Sequence, residues 1–541
     1  MLLFTPGFSP VTKAPYGMGQ PFQRFKNRPA PRNRQNSSSP ITGLKPGVNE
    51  RGIGSTYDRN RMNNPMTRPK PKSITWLILL TALCIPSTFA QSRKSKQPVV
   101  DWSTVPSILA RIKPPKFAAR DFNITSYGAV ADGKTDATEA LRKAIDACNK
   151  AGGGRVVVPA GTFLTGAVHL KSNVNLYLAE GATLKFSTDP EKYLPVVYTR
   201  FEGTECMNYS PFIYAFEQQN IAITGTGTLD GSASDHNWWK WTRRSGTTEA
   251  PARASVRKLL DFAERGVPVK DRVFGKDGFL RPSFIQPYRS RNILIEGIHI
   301  INSPMWEVHP VLSVNVTVRG VKINTHGPNN DGCNPESSRD VLIEDCEFDT
   351  GDDCIAIKSG RDHDGRRVNV PSENIIVRNS TMKDGHGGVV LGSECSGGIR
   401  NVFIENCKMD SPNLERALRF KSNARRGGFA ENVFMRNVEI GQVKEAVLTI
   451  DLMYETGPNG PYKPIVRNVN LENVRSTNSP RVMWIASFPG AVIDGVSFVD
   501  CIFRGVKASE VVEASGSILF RNVKIEPAEK GRSLNSRPSW P

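Results

Sequence analysis

The hexapeptide Asn292-Ile-Leu-Ile-Glu-Gly returns as Asn315-Val-Thr-Val-Arg-Gly, Asp340-Val-Leu-Ile-Glu-Asp and Asn374-Ile-Ile-Val-Arg-Asn. It comes back again as Asn401-Val-Phe-Ile-Glu-Asn, Asn432-Val-Phe-Met-Arg-Asn, Asn468-Val-Asn-Leu-Glu-Asn and Gly495-Val-Ser-Phe-Val-Asp. An earlier copy begins at Asn220 and a trailing one at Asn522. From Asn292 to Gly495 the starts lie 23, 25, 34, 27, 31, 36 and 27 residues apart. Self-similarity at this period means stacked units. Each unit alternates in period two over three to five residues, with turn residues between, and none supplies a helix of ten or more. Helical and leucine-rich solenoids therefore fit poorly, and propeller blades need a longer period. The expected fold is all-β: a single-stranded right-handed parallel β-helix. Each repeat is one coil, stacked about 4.8 Å from the next. The recurrent Asn falls at a coil corner, where it can hydrogen-bond its neighbours above and below.

Outward from the repeats, Arg155 to Phe186 holds short β segments: Val156–Val158, Val168–Leu170, Val174–Leu178 and Thr183–Phe186. Before them, Asp136 to Lys150 reads as one amphipathic helix, with Leu141, Ala144, Ile145 and Cys148 on one face. Asp136 and Glu139 have the spacing of a capping box. This helix is expected to cap the open end of the stack, which would otherwise be an unpaired edge. Residues 91–119 read as a linker, 120–527 as the β-helix and 528–541 as a polar tail. Asn220 to Asn292 is 72 residues, so roughly one to two coils' worth is extra there, placed at 233–283. That insert carries Trp238, Trp239 and Trp241 and a helix-like segment from Ala250 to Gly266.

The formal net charge is +19, of which residues 1–65 carry +8, residues 66–90 carry +3 and the remainder +8. A basic domain suits a polyanionic partner, nucleic acid or acidic polysaccharide, although solubility alone would explain it equally well. Residues 1–65 are rich in Pro, Arg, Asn, Gly and Ser and are expected to be disordered, or not translated at all. Met66 to Ala90 has a basic start, the apolar run Ile74 to Ile85 and a small-residue cleavage site, the pattern of a signal peptide. Translation from Met66 and a mature start near Gln91 are the expectation, with a membrane-anchored protein as the alternative. Eight cysteines follow the signal, without a CxxC pair, so a zinc ribbon is excluded. Cys346, Cys407 and Cys501 occupy one repeat position and read as stacked core residues rather than disulfides.

Stacking turns sequence distance into geometry. Asp331 to Asp352 is 21 residues, Asp352 to His386 is 34, and His386 to Arg419 is 33, each about one coil. Asp331, Asp352, Asp353, His386 and Arg419 can then share one face, together with Lys421, two positions on and pointing the same way. Hydrolysis of a glycosidic bond needs one protonated carboxyl and one ionised carboxylate to activate water. Clustered carboxylates cannot all ionise normally, so one is pushed upward. Two cations on the same face suit a substrate with carboxylates of its own. Taken singly, Asp-Asp and Gly-His-Gly are ordinary turns, and three carboxylates could hold calcium. Their joint occurrence at one-coil spacing argues for a site.

In this order, Asn329-Asn-Asp331, Gly351-Asp352-Asp353, Gly385-His386-Gly387 and Arg419-Phe-Lys421 resemble the polygalacturonases of glycoside hydrolase family 28, over about residues 120 to 525. The resemblance implies inverting hydrolysis of α-1,4-galacturonosidic bonds. It implies Asp352 as general acid, Asp331 and Asp353 as the water-activating pair, and His386 beside the acid. Asn329, Arg419, Lys421 and, in a looser local motif, Tyr454 would bind substrate. Fungal members carry a disulfide from the Cys after Asp-Asp to one just before Gly-His-Gly; here Cys354 is present but residues 382–384 are Met-Lys-Asp, so that bridge is absent or rerouted. The expected partner is an acidic polysaccharide, polygalacturonate or pectin. No nucleic acid, no membrane in the mature form, no cofactor and no metal are expected, for a monomer that is secreted or periplasmic. A pectate lyase, which needs calcium and an arginine base, a rhamnogalacturonan or xylogalacturonan hydrolase, and a non-catalytic glycan-binding β-helix are the alternatives. The insert at 233–283 would wall off one end of the groove and restrict cutting to chain ends, or else be a surface loop with its tryptophans packed down.

Overall fold

A computed structural model describes residues 100–528, apart from 245, 247, 277, 509 and 513–515, together with residues 2 and 3. All of the basic extension but residues 2 and 3, the signal sequence, the start near Gln91 and nearly all of the 528–541 tail lie outside the described residues. Among the described residues no helix is long and apolar enough to cross a membrane.

The chain winds into a right-handed parallel β-helix. The repeated hexapeptides form successive strands of one sheet: Arg291–Glu296, Val314–Arg319, Arg339–Glu344, Ser372–Arg378, Ile399–Glu405, Phe429–Arg436, Ile465–Glu472 and Val492–Val499, each parallel to the next. A second sheet follows after a short turn in each coil, through His299–Ile301, Lys322–Thr325, Glu347–Thr350, Thr381–Met382, Lys408–Met409 and Glu439–Gln442. A third contains Ile355–Ile357, Val389–Leu391, Arg416–Lys421, Ala446–Asp451 and Met483–Ala486. Alternation sends Ile293, Ile295, Val316, Val318, Val341 and Ile343 into one continuous apolar core, where all are buried.

The leading Asn of each repeat has a local reason. Asn220, Asn292, Asn315, Asp340, Asn374, Asn401, Asn432 and Asn468 all have φ between 53° and 59°, a left-handed conformation that Asn and Asp tolerate best after Gly. Their side chains form the expected ladder, Asn292 Nδ2 donating to Asn220 Oδ1 at 2.9 Å, Asn315 to Asn292 at 2.8 Å, Asn401 to Asn374 at 3.0 Å and Asn432 to Asn401 at 3.0 Å.

Three expectations need correction. The capping helix begins at Thr138 rather than Asp136, because Asp136 ends the strand Asp132–Asp136. Asp136 still accepts from the Thr138 backbone N–H at 2.9 Å, but Glu139 is held by Arg142 and no capping box closes. Residues 100–119 are not a free linker. Helix α1 (Val105–Arg111) packs Val105 and Ile108 against Leu342, Ile376, Phe403 and Phe434 on the outside of the first sheet, and Arg111 reaches Asp340 at 2.8 Å. Helix α2 (Thr138–Lys150) buries Leu141, Ala144, Ile145 and Cys148 over the end of the core. All eight described cysteines are free and buried. The Sγ atoms of Cys346, Cys407 and Cys501 each donate to the carbonyl two residues before, at 3.2, 3.3 and 3.2 Å, as stacked core residues do.

The extra sequence includes a short 3-10 helix, Trp238–Thr242, and helix α3 (Pro251–Glu264). An antiparallel hairpin, Val197–Phe201 with Thr204–Asn208, joins it: Phe201, Cys206, Leu259, Phe274, Leu280, Met305 and Trp306 form one apolar cluster outside the coils.

Candidate active site

Three rows of outward side chains cross the third sheet. Backbone bonds from Gly332 N to Asp353 O, Cys354 N to Gly387 O, Gly388 N to Arg416 O and Val447 N to Arg481 O align Asp331, Asp353, Gly387, Arg416, Ala446 and Arg481. Asn334, Ala356, Val390, Arg419, Thr449 and Trp484 form the next row. Glu336, Lys358, Gly392, Lys421, Asp451 and Ala486 form the third. Between them the core takes Ile355, Ile357, Val389, Leu391, Leu418 and Phe420. Inward apolar residues thus fix which polar ones face out.

The carboxylates meet where these rows leave the second sheet. One oxygen from each of Asp331, Asp352 and Asp353 lies within 4.8 Å of the others, so a single water can touch all three. The Asp331 and Asp353 side chains are 3% and 1% exposed; that of Asp352, at 19%, opens to the groove. Asn334 donates to Asp331 Oδ2 at 2.8 Å, with Lys358 Nζ at 3.5 Å. Lys421 Nζ lies 2.6 Å from Asp353 Oδ2, while Asp353 Oδ1 has no partner among the described residues. His386 Nδ1 is 3.0 Å from Asp352 Oδ1, which also accepts the Asp353 backbone N–H at 2.9 Å.

These contacts separate the protonation states. Burial raises Asp331 well above the carboxylate range, and the Asp352 charge adds to it. Burial also pushes on Asp352, but the His386 bond and the charges of His386, Lys421 and Lys358 outweigh it and hold Asp352 below that range. The Asp352 bond in turn lifts His386 to about 9. In the free site the raised carboxyl is therefore Asp331, while the proton beside Asp352 sits on the imidazole.

Arg419 sits over the same floor; among the described residues its buried Nε has no partner, and Nη1 reaches the His386 carbonyl at 3.4 Å and Glu415 at 3.9 Å. The Tyr454 ring lies 5.9 Å from the Arg419 guanidinium and 5.7 Å from Lys421 Nζ. Every residue singled out in the sequence is thus drawn together, with one qualification. The Asn329 amide oxygen is already taken by Arg281 Nη2 at 2.6 Å.

Two cations were not legible from motifs. Arg281, in the insert, is buried, which brings it down to about 10, and it holds the carbonyls of Pro304 and Pro328 at 2.6 and 2.7 Å. Lys358 pairs with Glu394 at 3.0 Å and lies 4.5 Å from the Trp306 ring. Alternation after Ile355 and Ile357 puts Lys358 outward and was the available signal for it. Three acidic side chains could hold a cation by spacing, as could His326, Asp349 and Asp384 nearby. At the first cluster the ammonium groups of Lys358 and Lys421 already supply positive charge, which argues against the calcium reading.

The 197–208 hairpin and the insert stand beside the site. The tip of the 197–208 hairpin lies on helix α4 (Asp362–Val368) and its approach: Arg361 N donates to Gly203 O at 3.0 Å and Arg361 Nη1 to Glu202 at 2.9 Å. Trp239 donates to the Ser303 carbonyl at 2.8 Å and lies against Gly327, where a Cβ would run into the indole. Trp238 and Trp241 are buried packing residues. Two tryptophans of the insert thus pack down, and the third stands beside Pro328-Asn329.

Comparison with known proteins gives the following. The profile of glycosyl hydrolases family 28 matches residues 274–510, and that of rhamnogalacturonase A/epimerase, pectate lyase-like, matches residues 122–248. An exo-poly-alpha-D-galacturonosidase of Dickeya chrysanthemi is 30% identical over 455 residues, 76% of this chain and 72% of that one. The crystal structure of a hyperthermoactive exopolygalacturonase from Thermotoga maritima superposes with a TM-score of 0.76 at 46% identity, covering 78% of this chain and 96% of that one. A family 28 exopolygalacturonase of Yersinia enterocolitica gives 0.58 at 26% identity, over 76% and 78%.

Proposed function

The chain belongs to glycosyl hydrolases family 28, and on that premise we propose that it hydrolyses the α-1,4-galacturonosidic bonds of polygalacturonate from the chain end. The observation that carries this reading is the meeting of three carboxylates, one oxygen each within 4.8 Å, beside an arginine whose Nε has no partner among the described residues. The carboxylates suit bond cleavage, and Arg419, with Lys421 next to it, suits a galacturonate carboxylate. Ionic contacts of this kind are strongest with a planar guanidinium fork.

In the proposed mechanism the glycosidic oxygen rests on Asp352, the one carboxyl of the three open to the groove. Asp352 is the general acid, and its proton comes across the 3.0 Å contact from the His386 imidazolium. Water sits against Asp331 and the free Oδ1 of Asp353 and attacks the anomeric carbon. The C–O bond breaks, the leaving oxygen takes the proton from Asp352, and the attacking water gives one to the ionised carboxylate of the pair. Attack from the face opposite the leaving group inverts the anomeric centre. Asn329 positions Arg281, and Tyr454 lines the site over the two cations.

Chain-end cutting is proposed from the hairpin and the insert. The hairpin tip at Arg361 and Trp239 at Gly327 stand beside the coils of Asp331 and Asp352, and the rows continue past Arg419 towards Trp484. A closed groove admits a terminus and an open one grips the middle of a polymer. Digestion of polygalacturonate, followed by viscosity and product size together, tests this. Slow viscosity loss with only mono- or disaccharide released is expected. Rapid loss with a ladder of mixed oligomers would make it an internally cutting enzyme. Chelator-sensitive activity with unsaturated products would make it a lyase.

A further inference from the structure

Past the catalytic residues the outward rows do not become featureless. The row of Arg419 continues through Thr449 to Trp484, whose strand pairs directly with that of Thr449. Met483 and Ile485 on either side belong to the core, so Trp484 faces out on the same side as Arg419, and it stays partly exposed. The row of Asp353 continues through Arg416 and Ala446 to Arg481. Arg416 is spoken for by Glu415 and Glu445, and its guanidinium lies 5.8 Å from the Trp484 ring. Arg481 makes no ion pair within 4 Å among the described residues: the nearby Glu510 carboxylate is held by the backbone N–H groups of Val482 and Met483 and acts on Arg481 only through its charge, and the Arg481 Nε is buried without a hydrogen-bond partner. A buried guanidinium N–H left unpaired costs free energy, so its retention on a solvent-facing row points to an anion that arrives with a ligand.

We propose that Trp484 and Arg481 form a distal subsite that holds a galacturonate unit of the same chain, on the Arg419 side of the cleavage point. It rests on the proposed polygalacturonate hydrolysis. The indole supplies a flat apolar face for the sugar ring, and Arg481 supplies the partner for its carboxylate. Trp484 lies two coils beyond Arg419, roughly 10 Å along the stack. That is about two sugar units past the one held by Arg419 and Lys421. Di- and trisaccharides would fall short of it, and oligomers of about four units or more would reach it. The subsite would add binding for long chains without touching the reacting bond.

Kinetics on oligogalacturonates of graded length test this in the full-length enzyme. In the wild type, KM should fall between the trisaccharide and the longer oligomers. In Trp484→Ala that fall should disappear, raising KM for polymer by roughly tenfold. Meanwhile kcat at saturation and all constants for the disaccharide should stay within about twofold. Trp484→Phe should restore most of the length dependence, and Arg481→Gln should lose it with the aromatic ring intact, so the outcome does not hang on one variant folding. Equal losses on disaccharide and polymer, or no loss on either, would overturn the subsite. A wild type that cuts neither substrate would overturn the functional reading itself, and the subsite with it.

Discussion

Replacing Lys421 with methionine separates what this residue does for the protein from what it does for substrate. In the free site its ammonium is not idle: it sits 2.6 Å from Asp353, and the two side chains are 8% and 1% exposed. Lys421→Met keeps the stem and removes the charge. Asp353 then has no cation in contact, since its other oxygen is already without a partner. Removing one partner of a buried pair costs about 3–5 kcal/mol at a pH where the survivor stays ionised. The cost must depend on pH in a definite direction. An uncompensated buried carboxylate has its folded-state pKa raised above its unfolded value of roughly 3.9. The destabilisation is therefore full above the raised pKa and fades as pH falls towards the unfolded one. Urea unfolding of wild type and variant from pH 4 to pH 8 measures it. The double variant Asp353→Asn/Lys421→Met should regain most of the lost stability at pH 7 while remaining inactive. A single variant as stable as wild type across that range, or a double variant no more stable than the single, would refute the account. A lysine that served only substrate would give the first of these results.

Asp352→Asn should lower kcat by roughly 10²–10⁴ with the fold retained, which circular dichroism and turnover on polygalacturonate check together. More than a tenth of wild-type activity in the folded variant would remove Asp352 from the acid role. The bond to Asp352 lifts His386 to about 9, so the imidazolium persists through neutral pH and is lost as pH rises through that value. The wild-type kcat/KM profile should accordingly fall on its basic side near there, and His386→Gln should be slower and lose that limb.

The stacking itself is legible from the chain because two local rules repeat in register: an Asn that accepts a left-handed backbone, and an apolar residue at every second place after it. From these, Asp331, Asp353 and Arg419 can be set on one face by counting. Contacts made across the coils leave no such trace. Lys358 serves Asp331 from 27 positions away and Glu394 from 36, with no shared motif. The 197–208 hairpin, read only as part of the coil region, reaches the approach to helix α4 through its contacts with Arg361. Segment 100–119 looks like linker because its composition is unremarkable, whereas its Val105 and Ile108 find an apolar patch on the outer face at Phe403 and Phe434. Nor could the sequence say which carboxyl holds the proton, since that depends on His386 lying 3.0 Å from Asp352 and on how deeply Asp331 is covered.

The ladder of left-handed asparagines does more than tie neighbouring coils. Seven intervals between its rungs from Asn292 to Gly495 range from 23 to 36 residues, yet the strands that follow pair without slippage. Each rung acts as an index mark at which the count restarts, so surplus length is thrown outward and never shifts the next strand. An insertion in one turn leaves Asp331, Asp353 and Arg419 on one face. A lineage could thereby lengthen or trim the loops around the groove, and trade one mode of attack on a polymer for another, while the reacting groups stayed in place.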